Sequence, residues 1–196
     1  MPQKAKFTKE EIISVALNLV RNNGFECLTA RNLALGLNSS TRPIFTVFDS
    51  MDDVQKDVKN AVRNLYDSYV KEALKRENKE KNYFKCVGEQ YIKFSIVEPK
   101  FFQLLFMKEQ EEKTEFISIL PLIENNYEEI ILSITEQYQL NREIAIKMYH
   151  HLWIYTHGIA SLCATKMCTF NGKEISDMLT DVFKSLLKNY KEMGGK

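Results

Sequence analysis

The residues best suited to chemistry lie in the segment 39–48, which reads SSTRPIFTVF. It combines hydroxyl groups, a guanidinium and aromatic rings within about two helical turns, too short a helix to be stable by itself. If the apolar side chains of this segment point into a small core, four others point outward: Thr41, Arg42, Phe45 and Thr46. Hydroxyl and guanidinium groups suit phosphate and base-edge contacts in a major groove. The alternative is a solvated helix face with a loosely packed Phe45.

Arg42 is the strongest candidate for reading a base. Its planar guanidinium matches the hydrogen-bonding edge of guanine, which presents two acceptors side by side. A phosphate contact is an equally good interpretation of the same side chain. The sequence leaves these two roles open.

Histidines and cysteines are the other candidates for chemistry. His150 and His151 are adjacent, so on a helix they face about 100° apart and cannot hold one metal ion as an i, i+4 pair does. His157 and Cys163 are six residues apart, again on poorly matched faces. The four cysteines show no C-x-x-C spacing, and neither a Gly-rich phosphate loop nor a nucleophile elbow occurs. We therefore predict that the protein is not an enzyme and holds no metal ion or cofactor.

Charge is distributed unevenly along the chain. Residues 1–48 carry six basic and three acidic residues, whereas the remaining chain carries 21 basic and 23 acidic residues. A mildly basic N-terminal region followed by a mildly acidic remainder is compatible with a nucleic-acid contact confined to the N-terminal region. No apolar run approaches the roughly 18 residues that a membrane helix needs, and no signal-peptide pattern is present. The sequence predicts a cytoplasmic protein without a membrane partner.

Capping residues predict two helices at the start of the chain. Thr8 and Glu11 have the spacing of a capping box, and apolar residues then recur every three to four positions until Gly24, which suits a left-handed C′ residue. Thr29 caps a second, shorter helix.

A third helix is expected over residues 39–48. Ser39 or Ser40 can cap it, and Pro43 falls in its first turn, where a missing N–H costs nothing. Two short helices joined by a tight turn and braced by a longer one form a helix-turn-helix.

The rest of the chain has the apolar periodicity of long helices. The expected helices cover about 52–74, 84–98, 101–108, 122–134, 141–168 and 175–190, with Pro121 beginning or kinking the fourth of them and Asn141 capping the fifth. We therefore predict an all-α protein of about nine helices. Residues 1–50 would form a three-helix DNA-binding domain, and residues 51–196 a six-helix domain for ligand binding and dimerisation.

Aromatic residues are numerous enough in this second region to fill a core or to line a ligand cavity. The candidates for a cavity are Tyr91, Phe94, Phe102, Phe106, Tyr127, Trp153 and His157. Tyr127 and His157 would be its polar anchors, since ligand cavities are largely apolar with a few polar groups. Core packing is the alternative for each of these side chains.

The last helix carries a broad apolar stripe that could contact a second copy of the chain. Its residues are Ile175, Met178, Leu179, Val182, Phe183 and Leu186. Packing on their own domain is an equally good interpretation of the same periodicity.

The block from Thr8 to Val54 resembles the TetR/AcrR family of bacterial transcriptional regulators. The matching stretches are the Thr8-capped helix, Asn23-Gly24-Phe25, Thr29-Ala30-Arg31-Asn32-Leu33-Ala34, the Ser40 cap, Phe45-x-x-Phe48 and Ser50-x-Asp52-Asp53-Val54. Trp153-x-x-x-His157-Gly158 resembles a signature of one C-terminal subgroup of that family.

This resemblance implies a homodimer that binds a palindromic double-stranded DNA operator and responds to a small-molecule effector of unknown identity. Such a protein would be a repressor that the effector releases from DNA. Carried over by position, Thr29 and Arg31 would contact phosphate. Ser40, Thr41, Arg42, Phe45 and Thr46 would line the groove, with Ser39 beside them. A helical interaction protein of the same fold that has lost specific DNA binding is the alternative.

Three places in the sequence depart from the family pattern, and one of them is a pair of adjacent residues. Asn38 replaces the common glycine of the turn, which Asn tolerates because it accepts a left-handed backbone. Arg42 and Pro43 stand where small residues are frequent. Met51 stands where a lysine often reaches a phosphate, and losing that contact should weaken the salt dependence of binding.

Overall fold

The computed structural model describes residues 6–76, 83–109 and 114–194. Within these ranges the chain has nine α-helices, two short 3₁₀ helices and no strand, which confirms the predicted all-α fold. The α-helices are α1 (Lys9–Asn23), α2 (Ala30–Gly36), α3 (Met51–Arg76), α4 (Tyr83–Val97), α5 (Pro99–Phe106), α6 (Phe116–Ile123), α7 (Tyr127–Tyr138), α8 (Arg142–Ala164) and α9 (Gly172–Gly194). The 3₁₀ helices cover Phe25–Cys27 and Ile44–Thr46.

The predicted caps of α1, α2 and α8 are confirmed. The amide of Glu11 donates to Thr8 Oγ1 at 3.2 Å while the amide of Thr8 donates to the Glu11 carboxylate at 2.7 Å, which is a complete capping box. Thr29 Oγ1 and Asn141 Oδ1 accept backbone N–H groups in the first turns of α2 and α8. Gly24, which ends α1, has the positive φ expected there, +88°, while its ψ of 168° is extended.

The segment 39–48 does not form an α-helix. It contains a single 3₁₀ turn, Ile44–Thr46, which follows Pro43 and has no side-chain cap. The expectation of an α-helix capped by Ser39 or Ser40 is therefore wrong. Pro43 supplies no N–H, and the β-branched side chains of this stretch disfavour helix, so one turn of the tighter 3₁₀ geometry is all that forms.

The chain divides into two compact units, and unit 1 consists of the described residues up to Ser68 together with Val97–Lys108. Unit 1 therefore holds α1, α2, the first part of α3, and α5. Its core is formed by buried side chains from each of these helices, among them Ile12, Val20, Leu33, Val58 and Phe101. The unit extends beyond residue 50, because α5 packs against α1 and buried valines of α3 join the same core.

Two ion pairs link elements of unit 1 that are distant in sequence. The guanidinium of Arg21 on α1 lies 2.9 Å from the carboxylate of Glu98, and Lys9 Nζ lies 2.6 Å from Asp57 on α3. Arg21 also lies over the ring of Phe101, with its guanidinium carbon 5.0 Å from the ring centroid. These contacts attach α3 and the start of α5 to α1.

Unit 2 consists of Tyr69–Ile96 and the described residues from Glu109 onward. Neighbouring helices α7, α8 and α9 contact one another in sequence order, and α6 contacts α7. Pro121 lies inside α6, which ends at Ile123, so two helices stand where one over 122–134 was expected. None of the helices in the part of the chain that the structure describes has the length and hydropathy required to span a membrane.

Candidate functional site

The connection between α2 and α3 begins with a tight turn at Asn38. Asn38 has φ +47°, and its amide donates to the carbonyl of Leu35 at 3.0 Å. The amide of Ser39 donates to the carbonyl of Ala34 at 2.9 Å, which completes a Schellman motif. The left-handed conformation expected of Asn38 is therefore observed, and it turns the chain away from the axis of α2.

The following 3₁₀ turn separates an apolar side from a polar side. Ile44 is fully buried and Phe48 nearly so, and these two side chains hold the turn against the core of unit 1. The four side chains predicted to point outward are all exposed: Thr41, Arg42, Phe45 and Thr46. This prediction of orientation is confirmed, even though one 3₁₀ turn forms here instead of an α-helix.

Exposed polar groups are found both in this turn and at the start of α2. Phe45 is 45% exposed, and the Thr46 hydroxyl donates to the carbonyl of Pro43 at 2.7 Å, which leaves its oxygen lone pairs as acceptors. Thr29 and Arg31 at the start of α2 are exposed as well. Ser39, partly buried, accepts a hydrogen bond from Lys6 Nζ at 3.0 Å, while Ser40 is exposed. We call the exposed residues of 29–31 and 39–46 the polar face of unit 1.

A cavity of about 240 Å³ lies in unit 2 between α4, α8 and α9 and beside the end of α6. Its walls are mainly apolar and aromatic, which is the usual composition of a small-molecule site. The lining residues are Phe84, Lys85, Val87, Gly88, Tyr91, Glu124, Tyr149, Leu152, Trp153, Thr156, Leu179, Thr180, Phe183 and Lys184.

Only Tyr91 and Trp153 of the residues predicted for a cavity line this one. Phe94 is fully buried and packs edge-to-face on Tyr69, with ring centroids 5.4 Å apart. Tyr127 is buried beside Tyr149 without lining the cavity. Phe102 and Phe106 belong to unit 1, where their rings contact each other with centroids 5.1 Å apart.

The spacing of residues on α4 is a sequence signal from which more of the lining residues could have been predicted. Phe84, Val87, Gly88 and Tyr91 recur at intervals of three and four residues, so they share one helix face. Glu124, in contrast, gives no such signal, because it follows the last residue of α6 and its burial depends on the neighbouring helices.

His157 does not line the cavity itself but contacts two residues that do. Its Nδ1 lies 2.9 Å from the hydroxyl oxygen of Tyr91, and its ring stacks on Trp153 with centroids 4.9 Å apart and planes 12° apart. Burial lowers the pKa of His157 below its usual value, so the imidazole is neutral at physiological pH. His157 therefore fixes two lining side chains.

Two lining groups have unusual electrostatic surroundings. Glu124 is only 4% exposed, and a carboxylate buried this deeply needs partners that offset its lost hydration. Burial and, to a smaller extent, the Glu124 carboxylate raise the pKa of Tyr149 well above its usual range, so this phenol keeps its proton.

The indole N–H of Trp153 is buried and has no hydrogen-bond partner within the described part of the chain.

Some residues of the apolar stripe of α9 are buried in the chain's own core, and others line the cavity. Leu179 and Phe183 line the cavity, and Phe183 stacks on Phe84 with ring centroids 5.0 Å apart. Ile175 is buried, whereas Met178, Val182 and Leu186 are partly exposed. Leu179 and Phe183 therefore have contacts within their own chain, and the dimer interface predicted for this stripe stays a prediction.

No model of a known protein family and no curated protein matches this chain.

Proposed function

We propose that this protein is a DNA-binding transcriptional regulator whose affinity for its operator changes when a small molecule occupies the cavity of unit 2. The observation that carries the proposal is the polar face of unit 1. It exposes two arginines, hydroxyl groups and an aromatic ring, while Ile44 of the same segment is buried. Such groups contact phosphates and base edges. The resemblance of residues 8–54 to the TetR/AcrR family supports the same proposal.

In the proposed mechanism, two copies of the chain bind the two halves of a palindromic operator. Each copy inserts its connection between α2 and α3 into a major groove, about 34 Å from the other. An effector in the cavity favours a conformation that no longer fits this spacing, and it acts only through its different affinity for the two states. α3 contributes residues to both units, so it is the element proposed to transmit the change.

Fluorescence anisotropy with labelled DNA tests this function. We expect the protein to bind a duplex from beside its own gene more tightly than a scrambled duplex of equal length. The logarithm of the binding constant should fall linearly with the logarithm of salt concentration, with a slope of several units per dimer. Equal affinity for both duplexes would instead favour a helical interaction protein without specific DNA binding.

The variant Arg42→Ala tests the polar face within the same assay. If Arg42 reads a base, the variant loses discrimination between the two duplexes by about 1–3 kcal/mol. Lys147→Ala is a matched control, because it removes one exposed positive charge from α8 in unit 2. An Arg42→Ala protein that binds both duplexes less tightly but keeps its preference would assign Arg42 to phosphate instead.

A further inference from the structure

The lining of the cavity of unit 2 includes one acidic side chain. Glu124 lines the cavity and is only 4% exposed, whereas glutamate side chains are rarely this deeply buried. A carboxylate offers about four lone-pair positions, so it can accept hydrogen bonds from the protein and still bind a further donor. Glu124 therefore provides a negative site that a ligand in the cavity can reach.

Aromatic rings form much of the wall around this carboxylate. They belong to Phe84, Tyr91, Tyr149, Trp153 and Phe183. The face of an aromatic ring carries partial negative charge and attracts organic cations, most strongly where water is excluded. Tyr149 adds to this effect as a neutral phenol, because it is buried next to a carboxylate and does not ionise at neutral pH.

Two lysines also line the cavity, but they lie where solvent screens them. Lys184 is exposed, and the ammonium group of Lys85 is already 3.7 Å from the carboxylate of Glu89. At equal distance, a charge pair in a partly buried protein environment interacts about four times more strongly than one in water. Glu124 is therefore the charged lining group that solvent screens least, and its interaction with the charge of a ligand beside it is the strongest of the three.

We propose that the cavity binds a small organic monocation with an apolar or aromatic body, whose cationic group lies beside Glu124 and whose body contacts the aromatic wall. Lys85 and Lys184 disfavour a second cationic group beside them. The volume of about 240 Å³ limits the ligand to a compact molecule. The role of this ligand as the effector rests on the proposed function, but its binding can be measured without DNA.

Tryptophan fluorescence provides the test, because Trp153 is the single tryptophan of the chain and lines the cavity. The probes are phenylbutylamine, phenylbutanol and phenylbutyrate, which share one apolar body and differ in the charge of the head group. We expect the amine to bind at least about tenfold more tightly than the alcohol and the carboxylate. A carboxylate that binds most tightly, three equal affinities, or no binding by any probe would overturn the proposal.

Charge-removing variants identify the group responsible. Glu124→Gln should abolish the preference for the amine over the alcohol, whereas Glu136→Gln, which removes an exposed charge from α7, should keep it. An amine preference that persists in a folded Glu124→Gln protein would assign the selectivity to another group. If that variant does not fold, the ranking of the three probes on the unmodified protein still decides. A protein that fails to bind DNA but ranks the probes as expected would refute the proposed function alone.

Discussion

At the scale of single residues, His157 shows how burial controls charge in unit 2. Its ring lies between the Tyr91 hydroxyl and the indole of Trp153, and burial is the cause of its lowered pKa. A protonated imidazole in this position would carry a charge among mainly apolar and aromatic groups. The folded protein therefore keeps His157 neutral at a pH where an exposed histidine has begun to take up a proton.

This burial predicts that the protein loses stability on acidification. Above about pH 7.5 neither the folded nor the unfolded chain protonates His157. As the pH falls through 6.5, the unfolded chain binds a proton that the folded chain does not, so the free energy of unfolding falls until the lower folded pKa is passed. The pKa of His150 is also lowered, mainly by burial and to a smaller extent by the neighbouring His151. His150 therefore adds to the loss of stability at low pH.

Urea unfolding between pH 8 and pH 5.5 measures this effect. We expect His157→Asn to show a shallower loss of unfolding free energy with falling pH than the unmodified protein. Tyr91→Phe is the control, since it removes the hydrogen bond to His157 but leaves the histidine buried, and it should keep the original dependence. An unchanged pH dependence in His157→Asn would show that other groups determine it.

At the scale of elements, the connection between α2 and α3 depends on the backbone conformation of Asn38. A positive φ places the Cβ of an L-residue too close to its own carbonyl, and the cost is largest for β-branched residues. Because the Asn38 side chain is exposed, substitution there changes the backbone energy with little loss of side-chain contacts.

The effect of a substitution at Asn38 on the free energy of unfolding should therefore depend on how well the new residue tolerates a positive φ. Asn38→Val should lower the free energy of unfolding by about 1–2 kcal/mol, whereas Asn38→Gly should change it by no more than about 0.5 kcal/mol. Ser40→Val, an exposed neighbour without a positive φ, is the matched control and should have a small effect. Chemical denaturation of the three variants measures these differences, and equal losses at both valine positions would contradict the argument.

At the scale of the whole molecule, the two proposals require that the cavity and the polar face affect each other. Thermodynamic linkage makes such coupling reciprocal: if a ligand lowers the affinity for operator by some factor, operator lowers the affinity for that ligand by the same factor. The chain is continuous through α3, from buried Val54 in unit 1 to buried Val70 in unit 2.

This reciprocity can be measured with phenylbutylamine as the ligand. We expect saturating ligand to weaken operator binding by about 5–150-fold, and calorimetric titration of ligand into the protein–operator complex to give the same factor. Ligand affinity that is identical with and without operator would show that the cavity is not coupled to DNA binding, whatever its ligand preference.

The sequence by itself determined the features that depend on local interactions. Capping side chains bond to amides three residues away, so Thr8, Thr29 and Asn141 could be recognised as helix starts. Apolar periodicity predicted the all-helical fold and an inward-facing apolar side of the segment 39–48, made of Ile44, Val47 and Phe48. Ile44 and Phe48 are buried, and Val47 is partly exposed. The α-helix predicted at 39–48 is one 3₁₀ turn in the structure, because Pro43 and its β-branched neighbours disfavour an α-helix.

Only the tertiary structure decided which side chains line the cavity. Phe84, Glu124, Trp153 and Phe183 come from four separate helices or their ends, and their meeting depends on how those helices pack. Periodicity identifies the buried face of a helix but not the neighbour that covers it, so the aromatic residues of core and cavity look alike in sequence. The burial of Glu124 follows from the same cause, because an acid after a helix end is normally solvated unless other helices enclose it.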